Sequence, residues 1–291
     1  MRAERLPAPL LVFGGIVSVQ FGSALAATLV PRVGAGGAVL LRVGFAAVIM
    51  LALLRPRLRG HRRSAWLTVV GFGLALGLMN WSFYGALGRL PVGVAVTVEF
   101  LGPLVLATVL SRRRLDFVAV AAAAVGVVLI SEILTEPLAR LSWLGLLLAL
   151  AAGTCWAAYI LLSARTGAVW PRLDGLALAL GVATLVVLPG GLLLGRDVWT
   201  TPHVGKGLAL AVLSSLLPYS LELLALRRLR ASVFGILLSL EPAVAAIAGF
   251  VVLGQHLNGL QVLGLVLVVL ASAIVMGIGR RPDPPGNIEA A

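Results

Sequence analysis

The sequence predicts an all-α polytopic integral membrane protein, in which ten transmembrane helices form two inverted five-helix repeats. Of its 291 residues, 60% are hydrophobic and only 12% are charged, whereas a soluble domain carries about 25% charged residues. Apolar stretches of about 18 or more residues recur along the chain, which is the length that a helix needs to cross a bilayer. In addition, one segment of the second half resembles a segment of the first.

The apolar stretches predict spans separated by short connections that often contain Gly or Pro, as is typical of antiparallel neighbours. The first span follows Arg2 and Arg5 and ends in "SALAA", which resembles a signal peptide. Because this run is long enough to cross the membrane, we interpret it as a retained helix. The Pro-rich polar tail, 282–291, is predicted to be disordered. The ten predicted spans are 8–29, 37–54, 66–88, 91–111, 115–133, 143–163, 174–194, 205–226, 231–253 and 258–279.

The net charge of +12 is explained by membrane topology and does not indicate a nucleic-acid partner. With the N-terminus in the cytoplasm, 17 of the 23 basic residues fall in inner segments and five in outer loops. Basic residues accumulate in cytoplasmic loops of membrane proteins. The distribution therefore predicts that both termini, including Asn287, lie in the cytoplasm and that the lipid bilayer is the surrounding medium.

The internal repeat is clearest around two prolines, Pro103 and Pro242, which are 139 residues apart. At this offset "LGRLPVGVAVTVEFLGP" (87–103) aligns without a gap with "LRRLRASVFGILLSLEP" (226–242). Each predicted unit, 1–137 or 138–281, has five spans, so the two units must enter the membrane in opposite directions. Secondary transporters use this arrangement and bind near the midplane where the repeats meet.

Two carboxyl groups lie in the middle of predicted spans, at Glu99 and Glu241. A charge at the bilayer centre costs about 2.5–3.5 kcal/mol, so these side chains should face the protein interior or a wet cavity. The alternative is that they act as structural glue by bonding a neighbouring helix. Pro103, Pro218 and Pro242 should bend their helices and free the carbonyl four residues earlier. Because free backbone at this depth must line protein or a cavity, these stretches predict the walls of a polar central cavity.

Other polar residues are candidates for the same cavity. Asn80 and Tyr84 are spaced i, i+4 and share a helix face, as do Trp156 and Tyr159 at i, i+3. Aromatic residues at such positions can equally be interfacial or packing groups.

Four further side chains are candidates, and for three of them alternatives stay open. Gln20 is a lone amide that serves as glue or as a ligand, and Tyr219 joins the candidate substrate-binding residues. Glu222 is about one turn from Arg227, which favours a snorkelling surface pair. Arg42 is near the outer end of its span, where it either snorkels or reaches inward to a carboxylate.

Enzymatic chemistry finds little support in the sequence. The single cysteine, Cys155, is interpreted as a small core residue, and His61, His203 and His256 fall in loops or at span ends. Neither an H-E-x-x-H pattern nor a Gly-rich phosphate-binding motif occurs. We therefore predict no metal, no cofactor and no enzyme activity.

The segments "GLMNWSFYGALGRLPVGVAVTVEFLGPL", "GTCWAAYILLSARTGA" and "LPYSLELLALRRLRASVFGILLSLEPAVAAIAG" resemble threonine/homoserine exporters of the EamA type, within the drug/metabolite transporter superfamily. The resemblance covers about residues 8–280. It implies a ten-helix inverted-repeat carrier in the bacterial inner membrane that exports small neutral amino acids, driven by the proton gradient. A purine or drug exporter of the same fold and a passive facilitator stay open as alternative functions. A homodimer stays open as the oligomeric state.

On the leading hypothesis, Glu99 exchanges a proton for the ammonium group of the substrate, with Glu241 as its companion. The residues predicted to bind the substrate are Gln20, Asn80, Tyr84, Glu99, Trp156, Tyr159, Tyr219 and Glu222.

Overall fold

The computed structural model describes residues 6–111, 113–131, 141–195, 198–253 and 258–278. Within these ranges the regular structure is entirely helical, and seven helices are long and apolar enough to cross a membrane. This confirms a multi-pass membrane protein. The predictions for Arg2, Arg5, His256, Asn287 and the tail 282–291 lie outside the described residues, as do Arg112, Arg140, Arg196, Arg280 and Arg281.

The helices follow the predicted spans closely. For example, the predicted span 174–194 coincides with a helix at Asp174–Leu194. The helices are α1 Ala8–Leu54, α2 Arg63–Leu87, α3 Val92–Leu110, α4 Arg114–Ile130, α5 Trp143–Val169, α6 Asp174–Leu194, α7 Thr201–Ala211, α8 Leu217–Leu226, α9 Ala231–Leu238, α10 Leu240–Leu253 and α11 Gly259–Ile278.

The first two predicted spans are joined into α1 without the loop expected at 30–36. The helix is broken at one residue, Gly34, with φ 74° and ψ 164°. This backbone conformation is essentially restricted to glycine. A single glycine therefore separates the two spans.

Helix α5 is longer than predicted and continues to Val169. Arg165 is exposed in this extension, so a charged residue did not mark the end of the helix. The helix ends at Trp170, which has φ −97° and ψ 139°. Proline disfavours helical backbone in the residue before it, and Pro171 therefore explains where α5 ends.

The three prolines predicted to bend helices have different surroundings. Helix α3 continues through Pro103. Just before Pro218, α7 and α8 are connected by a π-helical turn, Val212–Leu216. Before Pro242, α9 and α10 are separated at Ser239, whose hydroxyl donates to the Ile236 carbonyl at 2.6 Å.

The helices approach one another through glycines, as is common between membrane helices. At the crossing of α4 and α11, a Cβ on Gly126 would lie 2.8 Å from the Gly264 carbonyl oxygen. At the crossing of α3 and α5, a Cβ on Gly102 would overlap the carbonyl oxygen of Gly153. Both pairs therefore pack backbone against backbone.

The outer surface of the bundle carries large apolar side chains. Leu193 is 82% exposed, Trp143 80% and Val109 75%. Many large apolar side chains with this exposure are unusual on a soluble protein and are expected on a surface that faces lipid. Inside the bundle, α2 packs against α5 and α6, α1 against α6, α7 and α8, α3 against α5 and α9, and α4 against α11.

Candidate functional site

Arg42 is the centre of a polar network that joins α1, α2 and α8. Its Nη2 donates to Asn80 Oδ1 and, at 2.9 Å, to the Tyr219 hydroxyl. Asn80 Nδ2 donates to the Leu76 carbonyl at 2.8 Å and lies 3.4 Å from the Tyr219 hydroxyl. Tyr84, one turn beyond Asn80, is a further electrostatic neighbour of Arg42. Arg42 therefore reaches inward, as one of the two alternatives predicted, but its hydrogen bonds go to Asn80 and Tyr219 and not to a carboxylate.

A second network connects α5 to α8. The Tyr159 hydroxyl donates to Glu222 Oε2 at 2.6 Å, and both residues are buried. The interpretation of Glu222 as a surface partner of Arg227 is therefore wrong. Glu222 is buried against Tyr159 in the middle of α5, whereas Arg227, just beyond the end of α8, donates to the Gly167 carbonyl near the end of α5 at 2.8 Å.

Aromatic contacts connect these networks and extend them towards α3. The rings of Tyr159 and Tyr219 are 5.7 Å apart, which brings the Arg42 network next to Glu222. Trp156 is half-buried and packs edge-on against Phe100 at 4.9 Å. Trp156 and Tyr159 therefore share a face of α5 but contact different helices.

Glu99 and Glu241 lie in the same interior region as Arg42. Glu99, which is 8% exposed, has Glu241 and Arg42 as electrostatic neighbours. The electrostatic neighbours of Glu241 are Glu222 and Arg42. In the described part of the chain, neither Glu99 nor Glu241 forms an ion pair or a side-chain hydrogen bond. Both carboxyl groups are therefore within electrostatic range of a cation without being bound to it.

The backbone near the prolines is covered by neighbouring helices. Pro103 removes the bond to the Glu99 carbonyl, and a Cβ on Gly153 would lie 2.5 Å from that oxygen. Near Pro218, the Ser18 hydroxyl donates to the Leu213 carbonyl at 2.6 Å. The Glu99 carbonyl therefore contacts α5, and the lining of a polar cavity by the carbonyls that the prolines free stays a prediction.

Gln20 connects the start of α1 to α10. Its Nε2 donates to the backbone carbonyl of Glu241 at 3.4 Å, so its amide bonds the main chain and not a carboxylate. A cavity of about 410 Å³ lies elsewhere, near the end of α6. It is lined by Gly191, Leu192, Gly195, Val198, Trp199 and Thr200, and contains none of the predicted site residues.

Sequence reasoning missed the central position of Arg42 and the role of Ser18. The available signal for Arg42 was its place in "AVLLRVGFAAVIM", where a cation interrupts an apolar run. No signal in the sequence indicated which helices its side chain would join. Among the described residues, no three His, Cys, Asp or Glu side chains come together in a way that could hold a metal ion.

Ionisable side chains that membrane helices direct into one interior region are typical of proteins that move substrates or ions across the bilayer. The fold and the site thus define a membrane transporter. The chain belongs to the EamA-like transporter family, whose pattern matches residues 143–277. This confirms the resemblance found in the sequence, and the transporter relatives are consistent with a protein that is not an enzyme.

Among its relatives, the chain is 39% identical over 270 residues to the threonine/homoserine exporter RhtA of Salmonella typhimurium, covering 91% of this chain and 90% of that protein. It is also 39% identical over 260 residues to RhtA of Escherichia coli K12, covering 88% and 87%. Protein PecM of Dickeya dadantii is 30% identical over 227 residues, covering 73% of this chain and 74% of PecM. A crystal structure at 22% identity shares the fold, with a TM-score of 0.75 over 94% of this chain and 99% of that one.

Proposed function

We propose that this protein exports small neutral amino acids of the threonine/homoserine type from the cytoplasm by proton antiport, with alternating access. The observation that carries the proposal is the group formed by Glu99, Glu241 and Arg42, three ionisable side chains without an ion pair in the described interior. The relatives named as threonine/homoserine exporters match about nine-tenths of the chain, which supports the substrate class.

Two inverted repeats are part of this proposal, and the helix ends support them. Helices α2 and α8 end at Leu87 and Leu226, which are 139 residues apart. Helices α3 and α9 begin at Val92 and Ala231, at the same offset. The loops between them have matching backbone bonds, with Arg89 N to Ala86 O and Arg228 N to Ala225 O both at 2.9 Å.

The helix packing is consistent with the same symmetry. If the first five spans correspond to the last five, α2 corresponds to the span formed by α7 and α8, and α5 corresponds to the first span, which lies in α1. The contact of α2 with α5 should then have a counterpart between α1 and α7 or α8, and both contacts are present. Asn80 and Tyr219, again 139 residues apart, lie within 3.4 Å of each other. Equivalent residues can touch only near the symmetry axis, which lies in the membrane plane for inverted repeats. This contact supports a location of the Arg42 network near the midplane.

Glu99 and Glu241 are the proposed coupling groups. A buried carboxyl group must be neutralised, either by holding a proton or by pairing with a cation. The ammonium group of an amino acid is such a cation, so one carboxyl group can exchange a proton for a substrate molecule. The pocket around it is proposed to be formed by Gln20, Asn80, Tyr84, Trp156, Tyr159, Tyr219 and Glu222.

Alternating access requires helices that can bend, and three positions are suitable. These are the break at Gly34, the π-helical turn before Pro218 and the interruption at Ser239 before Pro242. π-turns and prolines are common causes of helix bending. We further propose that the protein resides in the bacterial inner membrane with both termini in the cytoplasm.

Counterflow in proteoliposomes tests the proposed function. Vesicles loaded with unlabelled threonine or homoserine should accumulate the labelled amino acid transiently, and vesicles without protein should not. Counterflow with purines or hydrophobic drugs but with neither amino acid would contradict the substrate class.

A further inference from the structure

Arg42 has no anionic partner in the described part of the chain. Its Nη2 donates to the amide oxygen of Asn80 and to the hydroxyl of Tyr219, and Tyr84, a further hydrogen-bonding neighbour, also offers a hydroxyl and not a carboxylate. Its Nε is buried and has no acceptor. Although Glu99 and Glu241 are electrostatic neighbours, neither forms an ion pair with it.

Within the described residues, Arg42 therefore lacks both a paired opposite charge and a hydrogen-bond acceptor for its Nε–H. Its side chain keeps its proton in proteins and offers five N–H donors, and a buried charge is costly unless an opposite charge pairs with it. The planar guanidinium group matches a carboxylate, which can accept two parallel bonds. A carboxylate could therefore take the free Nε–H and replace one neutral acceptor at Nη2.

The surrounding charges favour a ligand with both signs. Arg42 provides a cation, and the carboxyl groups of Glu99 and Glu241 lie within its electrostatic reach. An α-amino acid carries an anionic carboxylate next to a cationic ammonium group, so it complements both ends. An amine, an amino alcohol or an amide complements only the carboxyl end.

From these observations we propose that Arg42 binds the carboxylate of the transported molecule, so that the site selects compounds carrying a free carboxylate. This inference rests on the proposed function, because it identifies the anchor for its substrate. Asn80 and Tyr219 then hold the guanidinium group in place until the carboxylate arrives.

The first test uses the unaltered protein. Unlabelled threonine should compete with labelled threonine in counterflow, whereas threoninol, which has a hydroxymethyl group in place of the carboxylate, should compete at least about 30-fold more weakly. This ratio corresponds to the lower end of the loss expected when one partner of a buried charge pair is removed. Equal competition by threoninol would overturn the inference and leave the proposed function intact.

The second test replaces the arginine. Arg42→Gln should reduce threonine counterflow by about 30-fold or more and should abolish the preference for threonine over threoninol. Arg42→Lys keeps the charge but loses the planar fork, so it should recover part of that preference. The matched control is Arg89→Gln, because Arg89 is exposed in the turn after α2 and its side chain bonds only the Gly85 carbonyl at the end of that helix, at 2.8 Å. An unchanged preference in Arg42→Gln would overturn the inference.

A binding measurement separates the inference from the proposed function. 3-Hydroxybutyrate, which is threonine without its ammonium group, should raise the thermal midpoint of the purified protein but not that of Arg42→Gln. If this difference is found while threonine counterflow is absent, the carboxylate site stands and the proposed function fails. If 3-hydroxybutyrate raises neither midpoint or both equally, the carboxylate site is refuted.

Discussion

Replacement of Gly102 by alanine should loosen the contact between α3 and α5, next to the candidate coupling residue. A Cβ at this position would overlap the carbonyl oxygen of Gly153. Both groups belong to the backbone or are fixed to it, so a side-chain rotation cannot relieve the overlap. The helices must separate, and Glu99, one turn before Gly102, would move with α3.

The size of the effect follows from two opposing contributions. Alanine is favoured over glycine inside a helix by about 0.5–1 kcal/mol. Overpacking at a tight contact costs about 1–3 kcal/mol. The difference is about 0–2.5 kcal/mol, and because the overlap is with fixed backbone we expect the upper half of this range for Gly102→Ala.

Gly205 provides the matched control because it also lies within a helix, and a Cβ there would meet no atom within 4 Å. Gly205→Ala should therefore be neutral or slightly stabilising. The thermal midpoints of both variants can be measured in detergent from fluorescence-detected elution profiles. If Gly102→Ala and Gly205→Ala have the same midpoint, the backbone contact between α3 and α5 does not exist as described.

Two further predictions concern the second network and the topology. Tyr159→Phe removes the donor to Glu222 and should destabilise the protein by about 0.6–1.7 kcal/mol, the range for hydrogen bonds between membrane helices; an unchanged thermal midpoint would refute this contribution. A reporter fused after Asn287 should be detected on the cytoplasmic side, as the excess of basic residues in inner segments predicts, and a periplasmic signal would mean that the spans are miscounted.

The helices could be predicted from the sequence because the apolar runs are long and their ends carry local signals. Asp174 and Gly195 bound α6, and both are visible in the sequence. The union of the first two spans in α1 was not predictable, since "PRVGAGG" contains several turn-forming residues and only Gly34 adopts the unusual backbone. Local composition indicates where a chain can turn but not how few residues it will use.

The candidate site was predictable in part. A carboxyl group in an apolar run, such as Glu99, is conspicuous because it is costly in a membrane. Partners from distant parts of the chain are not conspicuous in the sequence. Tyr159, for example, is 63 residues away from Glu222, to which it is bonded. The wrong interpretation of Glu222 shows that the distance of a residue from the helix end does not reveal whether its side chain is buried against a neighbouring helix. The same limit applied to Arg42, whose side chain could be placed only once its helix was packed against α2 and α8.

Proton coupling through Glu99 is tested most directly by comparing gradient-driven and gradient-free transport in Glu99→Gln. Glutamine keeps the size and hydrogen-bonding capacity of a protonated carboxyl group but cannot ionise. The measurement is threonine transport in proteoliposomes with and without a pH gradient, using protein whose elution profile matches that of the unaltered chain. We expect Glu99→Gln to insert and fold normally but to lose the acceleration that the pH gradient gives to the unaltered protein. A folded Glu99→Gln that responds normally to the gradient would contradict the coupling role of Glu99.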